Sequence, residues 1–182
     1  MSGFRKIDER EIYRWHVGRL VELDFESPSG ERFGRTVVRT NGAVSVVPIE
    51  LDAQGVAHVF LLRQWRPSVE RVLWEVPAGM RDKPGEDPAE TGRRELIEEI
   101  GYSAGTIELL TIFHPSAGMT DGTHHVYLAT DLSFVGKQLE GPEEREMETV
   151  RMPLTEALAL VRNGEILASS AIIGLLLAAE RF

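Results

Sequence analysis

Over residues 12–24 and 32–40 apolar and polar positions follow the pattern of an extended chain. Ile12 through Asp24 and Arg32 through Thr40 are strand-like, and Ser27-Pro28-Ser29-Gly30 between them is a turn signal. The pattern predicts an N-terminal β-hairpin. Beyond Asn41-Gly42 it becomes almost continuously apolar, from Ala43 to Glu50. Asp52-Ala53-Gln54-Gly55 then turns the chain into a second apolar run, His58 to Leu62. Such runs belong to strands buried on both faces. Val72 to Glu75 is a short strand leading into Pro77-Ala78-Gly79. Residues 106–113 and 124–130 add two more, with an irregular loop from Pro115 to Gly122 between them. Glu148 to Met152 reads as the last strand.

Helical signals occupy three places. Asp87 is a capping residue, Pro88 follows in the first turn, and Glu90 stands where a capping-box partner would. Leu96 and Ile100, with Ala89 and Gly92 earlier, mark one apolar side. Gly101 is placed to end the helix in a left-handed conformation. That predicts a helix of about three and a half turns from Asp87 to Gly101. Pro153 precedes a second helix, Thr155 to Arg162, closed by Asn163-Gly164. A third begins near Ser169 or Ser170. The order predicts an α+β fold with helices packed on a mixed sheet.

Composition narrows the classes. The 182 residues suit one domain with a small N-terminal appendage, and 42% apolar residues supply a proper core. With no cysteine there is neither a disulfide framework nor a zinc-thiolate site, which suits a reducing cytoplasm. The N-terminal residues lack the apolar centre of a signal peptide. The most apolar stretch, Ile166 to Ala179, is too short to span a bilayer. Against 20 basic residues stand 29 acidic ones, a net charge of −9 without a basic stripe. That balance argues against a nucleic-acid polymer as partner, and less strongly against a single nucleotide.

Chemistry concentrates in residues 94–102, Arg94-Glu95-Leu96-Ile97-Glu98-Glu99-Ile100-Gly101-Tyr102. Residues three and four apart share a helix face, so Glu95, Glu98 and Glu99 present a patch of carboxylates. A solvated face is the ordinary role of a glutamate-rich run. The sharper reading is a cation site, because like charges on one patch repel and carboxylate oxygens suit Mg²⁺ or Mn²⁺.

The stretch from Gly79 to Tyr102 resembles the Nudix box, whose pattern is GX5EX7REUXEEXGU with U a bulky apolar residue. Arg94, Glu95, Glu98, Glu99 and Gly101 match in register, and Glu86 lies eight residues before Arg94 as the pattern requires. Six residues rather than five separate Gly79 from Glu86, and Tyr102 stands where an aliphatic residue is commoner. The extra residue falls in the turn-rich loop Arg81-Asp82-Lys83-Pro84-Gly85, where insertion leaves the helix spacing intact. The resemblance implies an α/β/α sandwich, with a hairpin extension over residues 1–40 and a catalytic domain over 41–182. It implies hydrolysis of a nucleoside diphosphate linked to another group. Glu95, Glu98, Glu99 and the carbonyl of Ala78 become the expected metal ligands. Gly79, Glu86, Arg94 and Gly101 become structural members of the box, with Glu86 and Arg94 joined by an ion pair.

Outside the box, Gly42 to Pro48, Arg63-Gln64-Trp65-Arg66-Pro67, Glu75 to Gly79 and Pro115 to Asp121 resemble the ADP-ribose pyrophosphatase branch of that family. Arg63 and Arg66 are candidate contacts to phosphate or ribose, since a guanidinium forks onto such oxygens. Ser116, Gly118 and Met119 are candidates from the substrate-side loop. That branch stacks adenine on N-terminal aromatic residues, often across a dimer with exchanged N-terminal strands. Trp15 or Tyr13 would serve here, and a homodimer is implied. Trp65 and Trp74 are expected in the core.

Two departures limit the substrate. Ala117 replaces the branch's usual proline, and Gly122 replaces a glutamate that can act as general base. Asp121 is a candidate replacement, as are Glu143, Glu144 and Glu146, or a box glutamate such as Glu98 or Glu99. His124 and His125 also sit nearby with suitable intrinsic pKa, although neighbours on a strand face opposite ways. The expectation is a Mg²⁺-dependent, cytoplasmic hydrolase of ADP-ribose or a similar nucleotide sugar. The rivals are the same chemistry on a UDP- or GDP-sugar, and a Nudix module that binds a nucleotide without turnover.

Overall fold

The computed structural model describes residues 3–138 and 145–182. Contacts divide the chain into two units, one of residues 1–42 with 113–123, the other of residues 43–112 with 124–182.

The first unit is built on a three-stranded antiparallel sheet in the order β1 (Arg5–Trp15), β2 (Gly18–Glu26), β3 (Arg32–Thr40). The expected single strand over 12–24 is in fact broken at His16-Val17, where β1 folds back on β2. No Gly, Pro or Asn marks that turn. The glycine that matters comes just after it. A Cβ on Gly18 would lie 2.8 Å from the Trp15 indole and 2.8 Å from the Arg39 carbonyl oxygen. Residues 5–11 are too polar to show a hydrophobic period, and cross-strand ion pairs join them to β2. Arg5 reaches Glu26 at 3.0 Å, and Arg10 bonds Glu22 directly opposite. At the other turn, Gly30 takes a positive φ of 84°.

The second unit holds a seven-stranded mixed sheet. Its main path runs β10 (Glu148–Pro153), β5 (Ala57–Arg66), β4 (Ala43–Leu51), β9 (His124–Phe134), β8 (Tyr102–Phe113), with β6 (Arg71–Glu75) on β5 and β7 (Ala78–Met80) on β4. Strands β4 and β9 run parallel from Ala43↔His124 to Pro48↔Ala129. The antiparallel β4–β5 pairing covers only Ile49–Leu51, beyond Pro48. Proline has no N–H to continue a ladder. Before it, β4 turns its edge to Gly79 and Ala78, while β5 pairs with β6. The segment 71–80 therefore fills the fork between two parting strands, and Ala78-Gly79 is delivered to the sheet's centre.

Three helices cover the sheet among the described residues: α1 (Pro88–Glu95), α2 (Leu154–Arg162) and α3 (Ser169–Ala178). Val44, Val46 and Tyr127 face α1 and share a core with Leu62, Leu96 and Ile100. The alternate positions Val47 and Val126 face α3, as the strand period requires. None of these helices is long and apolar enough to cross a membrane.

Helix α3 packs on the sheet through a glycine. A Cβ on Gly174 would stand 2.6 Å from Val47 Cγ2 and 3.1 Å from Val126 Cγ1. Alanine gains about 1 kcal/mol in helix propensity over glycine, whereas overpacking a filled core costs about 1–3 kcal/mol. Gly174→Ala is expected to lower stability by about 1 kcal/mol, and to become neutral or favourable in a Val47→Ala background. Urea denaturation of the four-member cycle measures this coupling.

Candidate active site

The helix that carries the acids starts as expected. Asp87 caps it, accepting from Ala89 N–H at 2.8 Å, and Gly101 closes it with φ 79°. Two details differ. Glu90 reaches forward to Arg93 at 3.3 Å, and the α-helix ends at Glu95, continuing as a π-turn over Leu96–Ile100. A wider turn brings residue i+4 closer to lying directly above residue i than α-geometry does. Glu99 thus stands over Glu95, and Glu98 over Arg94.

Glu95 and Glu99 are both buried. The Glu95 carboxylate lies so close over Gly79 that it fills the place of any Cβ there, which is why the position is glycine. Glu99 accepts the Ala78 N–H through Oε2 at 2.9 Å. The end of α1 and the π-turn after it are therefore seated on β7 by one carboxylate each. Lys137 is held below its ordinary pKa by burial, with the charge of Glu99 opposing that shift.

Arg94 gathers the remaining acids. Its Nη1 is 2.8 Å from Glu95 and 2.9 Å from Glu98, while Nη2 is 3.3 Å from Asp82 and 3.6 Å from Glu86. Burial pushes the guanidinium pKa down, but Glu95, Glu98 and Glu86 outweigh it and the net shift is upward. Glu86 also accepts from the Thr91 hydroxyl at 2.8 Å. Asp82 had no spacing signal to reveal it, because it sits in the loop that carries the extra residue. A groove of about 350 Å³ opens beside these groups, lined by Glu86, Arg94, Glu98 and Gln138 among others.

Among the described residues, no three His, Asp or Glu side chains are gathered closely enough to hold a cation as they stand. Arg94 supplies the positive charge between Glu95 and Glu98. The donor set is nevertheless all carboxylate and carbonyl oxygen, which is the chemistry Mg²⁺ and Mn²⁺ take. The residues fit such an ion by donor chemistry, with Arg94 occupying the space between two of the carboxylates.

The substrate-side candidates lie in different settings. Arg66 is forked onto the buried carboxylate of Glu75, at 2.9 and 2.5 Å. Arg63 pairs with Glu148 at 3.3 Å and lies 5.3 Å over the Trp74 ring. Trp74 is half-buried, but Trp65 is half exposed rather than in the core; its strand-end position beside the 66–71 hairpin leaves it uncovered. In the first unit, Ser116 and Gly118 are exposed, and Met119 is 61% exposed. Ser116 C=O accepts from Met119 N–H and Thr120 N–H at 2.9 Å each. Trp15 stacks with Tyr13 at 6.2 Å and lines a cavity of about 500 Å³ with Arg14, Arg19 and Arg39. Asp121 lines it too, bonded to Arg39 and to Thr40 N–H. Gly122 is buried, and a Cβ there would meet the Thr40 hydroxyl at 3.1 Å. Glu146 is exposed, while Glu143 and Glu144 lie outside the described residues.

A family model described as the NUDIX domain matches residues 39–169. The chain belongs to the Nudix family. It is 33% identical over 167 residues to the ADP-ribose pyrophosphatase of Bacillus subtilis, covering 89% of this chain and 88% of that one. It is 38% identical over 173 residues to the ADP-ribose pyrophosphatase of Mycobacterium tuberculosis, covering 95% and 82%. A crystal structure of an ADP compounds hydrolase superposes with a TM-score of 0.84 at 25% identity, over 100% of this chain and 95% of the other. The matched residues include the whole stretch from Gly79 to Tyr102, and the fold is the Nudix α+β fold.

At the start of β9, His124 and His125 face opposite sides of the sheet. Burial, with the neighbouring His125, pushes His124 down to about 4; His125 is lowered too, chiefly by burial and then by Arg81. His124 is therefore neutral at pH 7. Because its folded pKa lies below its unfolded value of 6.5, the stability it contributes is present above pH 6.5 and is lost as pH falls toward 4. The full loss is about 3 kcal/mol. His124→Gln should flatten the fall in unfolding free energy between pH 7 and 4.5, read by urea denaturation. Identical pH slopes in the two proteins would count against a neutral, partly buried His124.

Proposed function

We propose that this Nudix protein hydrolyses the diphosphate linkage of ADP-ribose or a similar nucleoside diphosphate sugar, giving a nucleoside monophosphate and a sugar phosphate. The observation that carries the reading is the acidic π-turn seated on Ala78-Gly79, with Arg94 between its carboxylates. The two ADP-ribose pyrophosphatases to which the chain is similar support the substrate class. Glu95, Glu98, Glu99 and the Ala78 carbonyl would hold Mg²⁺ or Mn²⁺. When bound, such an ion neutralises phosphate charge and lowers the pKa of water.

The protein's own residues do the rest. Water oxygen forms a bond to one phosphorus, and the bond from that phosphorus to the bridging oxygen breaks. The departing phosphate keeps the bridging oxygen, and a base takes the proton from water. Gly122 offers no side chain for that proton, so the reading assigns it to a box glutamate, Glu98 or Glu99. Arg94 holds Glu95 and Glu98 in place, and the Ala78 N–H orients Glu99. Arg63, Ser116, Gly118, Met119 and Trp15 are assigned to the substrate, with Arg66 acting through Glu75. In the same reading the protein is a cytoplasmic homodimer, with residues 1–40 as its dimerisation arm and 41–182 as its catalytic domain.

A second reading keeps the chemistry but changes the sugar nucleotide. Ala117, where the branch has proline, favours a UDP- or GDP-linked substrate. A panel of ADP-, UDP- and GDP-sugars with Mg²⁺ separates the readings. ADP-ribose should be turned over, and Glu99→Gln should lower kcat by about 10²–10⁴-fold. Faster turnover of another nucleotide sugar would move the substrate only. No product from any member, with ADP-ribose still bound, would leave a binding module instead of an enzyme.

A further inference from the structure

Asp121 lies at the end of the Pro115–Gly122 loop, and its whole environment belongs to the first unit. The loop runs beside β3 as a single parallel bridge, Val38↔Thr120. Val38 N–H donates to Met119 C=O at 2.8 Å, and Asp121 N–H to Val38 C=O at 3.4 Å. One bridge is a weak hold for an eight-residue loop. The side chains strengthen it. Asp121 Oδ1 accepts from Thr40 N–H at 3.2 Å, and Oδ2 accepts from Arg39 Nη1 at 3.0 Å. Both carboxylate oxygens are thus engaged, one by a β3 backbone amide and one by a β3 side chain.

Arg39 is in turn held from β1. Its Nη2 donates to Glu9 Oε2 at 3.0 Å, and Glu9 is also met by Lys6 at 3.0 Å and Arg19 at 3.2 Å. A guanidinium anchored at both ends has a fixed plane, which is what a directional bond to a third group requires. Further along, the Thr40 hydroxyl accepts from Gly42 N–H at 2.7 Å, and the Thr120 hydroxyl from Gly122 N–H at 3.1 Å. These two bonds are local, one shaping the end of β3 and one the end of the loop, so the side chain of Asp121 carries the link between them.

We infer that Asp121 is a positioning residue, which pins the Pro115–Gly122 loop to β3 through Arg39 and Thr40, with Glu9 of β1 fixing Arg39 for that task. The inference deepens the hydrolase reading, in which this loop carries Ser116, Gly118 and Met119 to the substrate. The N-terminal strand thereby acts on substrate binding through Glu9 and Arg39, without touching the reacting atoms.

Two readouts test it. Amide hydrogen exchange of residues 36–42 and 115–122 reports the anchor itself, independent of any turnover. Protection there should fall in Arg39→Ala and in Asp121→Ala, fall less in Glu9→Gln, and be partly kept in Asp121→Asn, whose amide oxygen can still accept from Thr40 N–H. Steady-state kinetics on ADP-ribose with Mg²⁺ should then show KM raised about tenfold in Arg39→Ala and Asp121→Ala, with kcat within about threefold of wild type. The double variant should be no worse than either single one, because the pair acts as a unit. Unchanged exchange in Arg39→Ala would overturn the inference. So would a drop in kcat of about a hundredfold or more in Asp121→Asn at unchanged KM, which marks a group acting on the water itself. If wild type turns over no nucleotide sugar, the hydrolase reading fails while exchange still judges the anchor.

Discussion

One guanidinium makes the acidic helix possible. Glu95, Glu98, Glu86 and Asp82 all lie within 4.0 Å of Arg94. Glu95 is buried, and a buried charge without a partner is strongly unfavourable. Without the guanidinium, the four acids would repel, and the loop from Arg81 to Glu86 would lose its tie to the helix. Arg94 therefore sets both the charge balance and the loop geometry. A surface arginine in one salt bridge contributes little; a half-buried one shared among four carboxylates belongs to a network whose members depend on one another.

The acids also need something to rest on, and that follows from a break in the sheet. Because β4 and β5 pair only beyond Pro48, the segment 71–80 enters between them. It brings the Ala78 N–H to Glu99 and a bare Cα at Gly79 to Glu95. The proline in an otherwise apolar strand and the glycine after Pro77-Ala78 thus belong to one device. One parts the strands, and the other leaves room for a carboxylate between helix and sheet.

How much of this was legible beforehand depended on the range of each interaction. Asp87, Gly101 and the Arg94-to-Glu99 spacing act within one helix, so local pattern revealed them. The pairing of Arg94 with Glu86 reaches from the helix to the loop before its cap, and only the family resemblance implied it. The π-turn was not, since the residues Leu96 to Ile100 suit an α-helix equally well and only docking on β7 distinguishes the two. Strand β1 was half missed because its first residues are charged and held by cross-strand ion pairs, which leave no hydrophobic period. The exposure of Trp65 went unread because an apolar residue at a strand end looks the same whether or not another element covers it.

The same distinction explains why the box defines reaction class more firmly than substrate. Cation chemistry requires several oxygens at fixed spacing, and one helix can encode that in nine residues. Recognition of a base and a sugar draws on side chains from separate strands and loops, each placed by its own partners. Asp121 illustrates this: the sequence shows an acid beside a glycine, whereas its position is set by Arg39, 82 residues earlier, and by Glu9 beyond it. A carboxylate near an expected site is thus a weak guide to a base. What its oxygens already accept decides which segments it holds together, and that is fixed by residues no local motif contains.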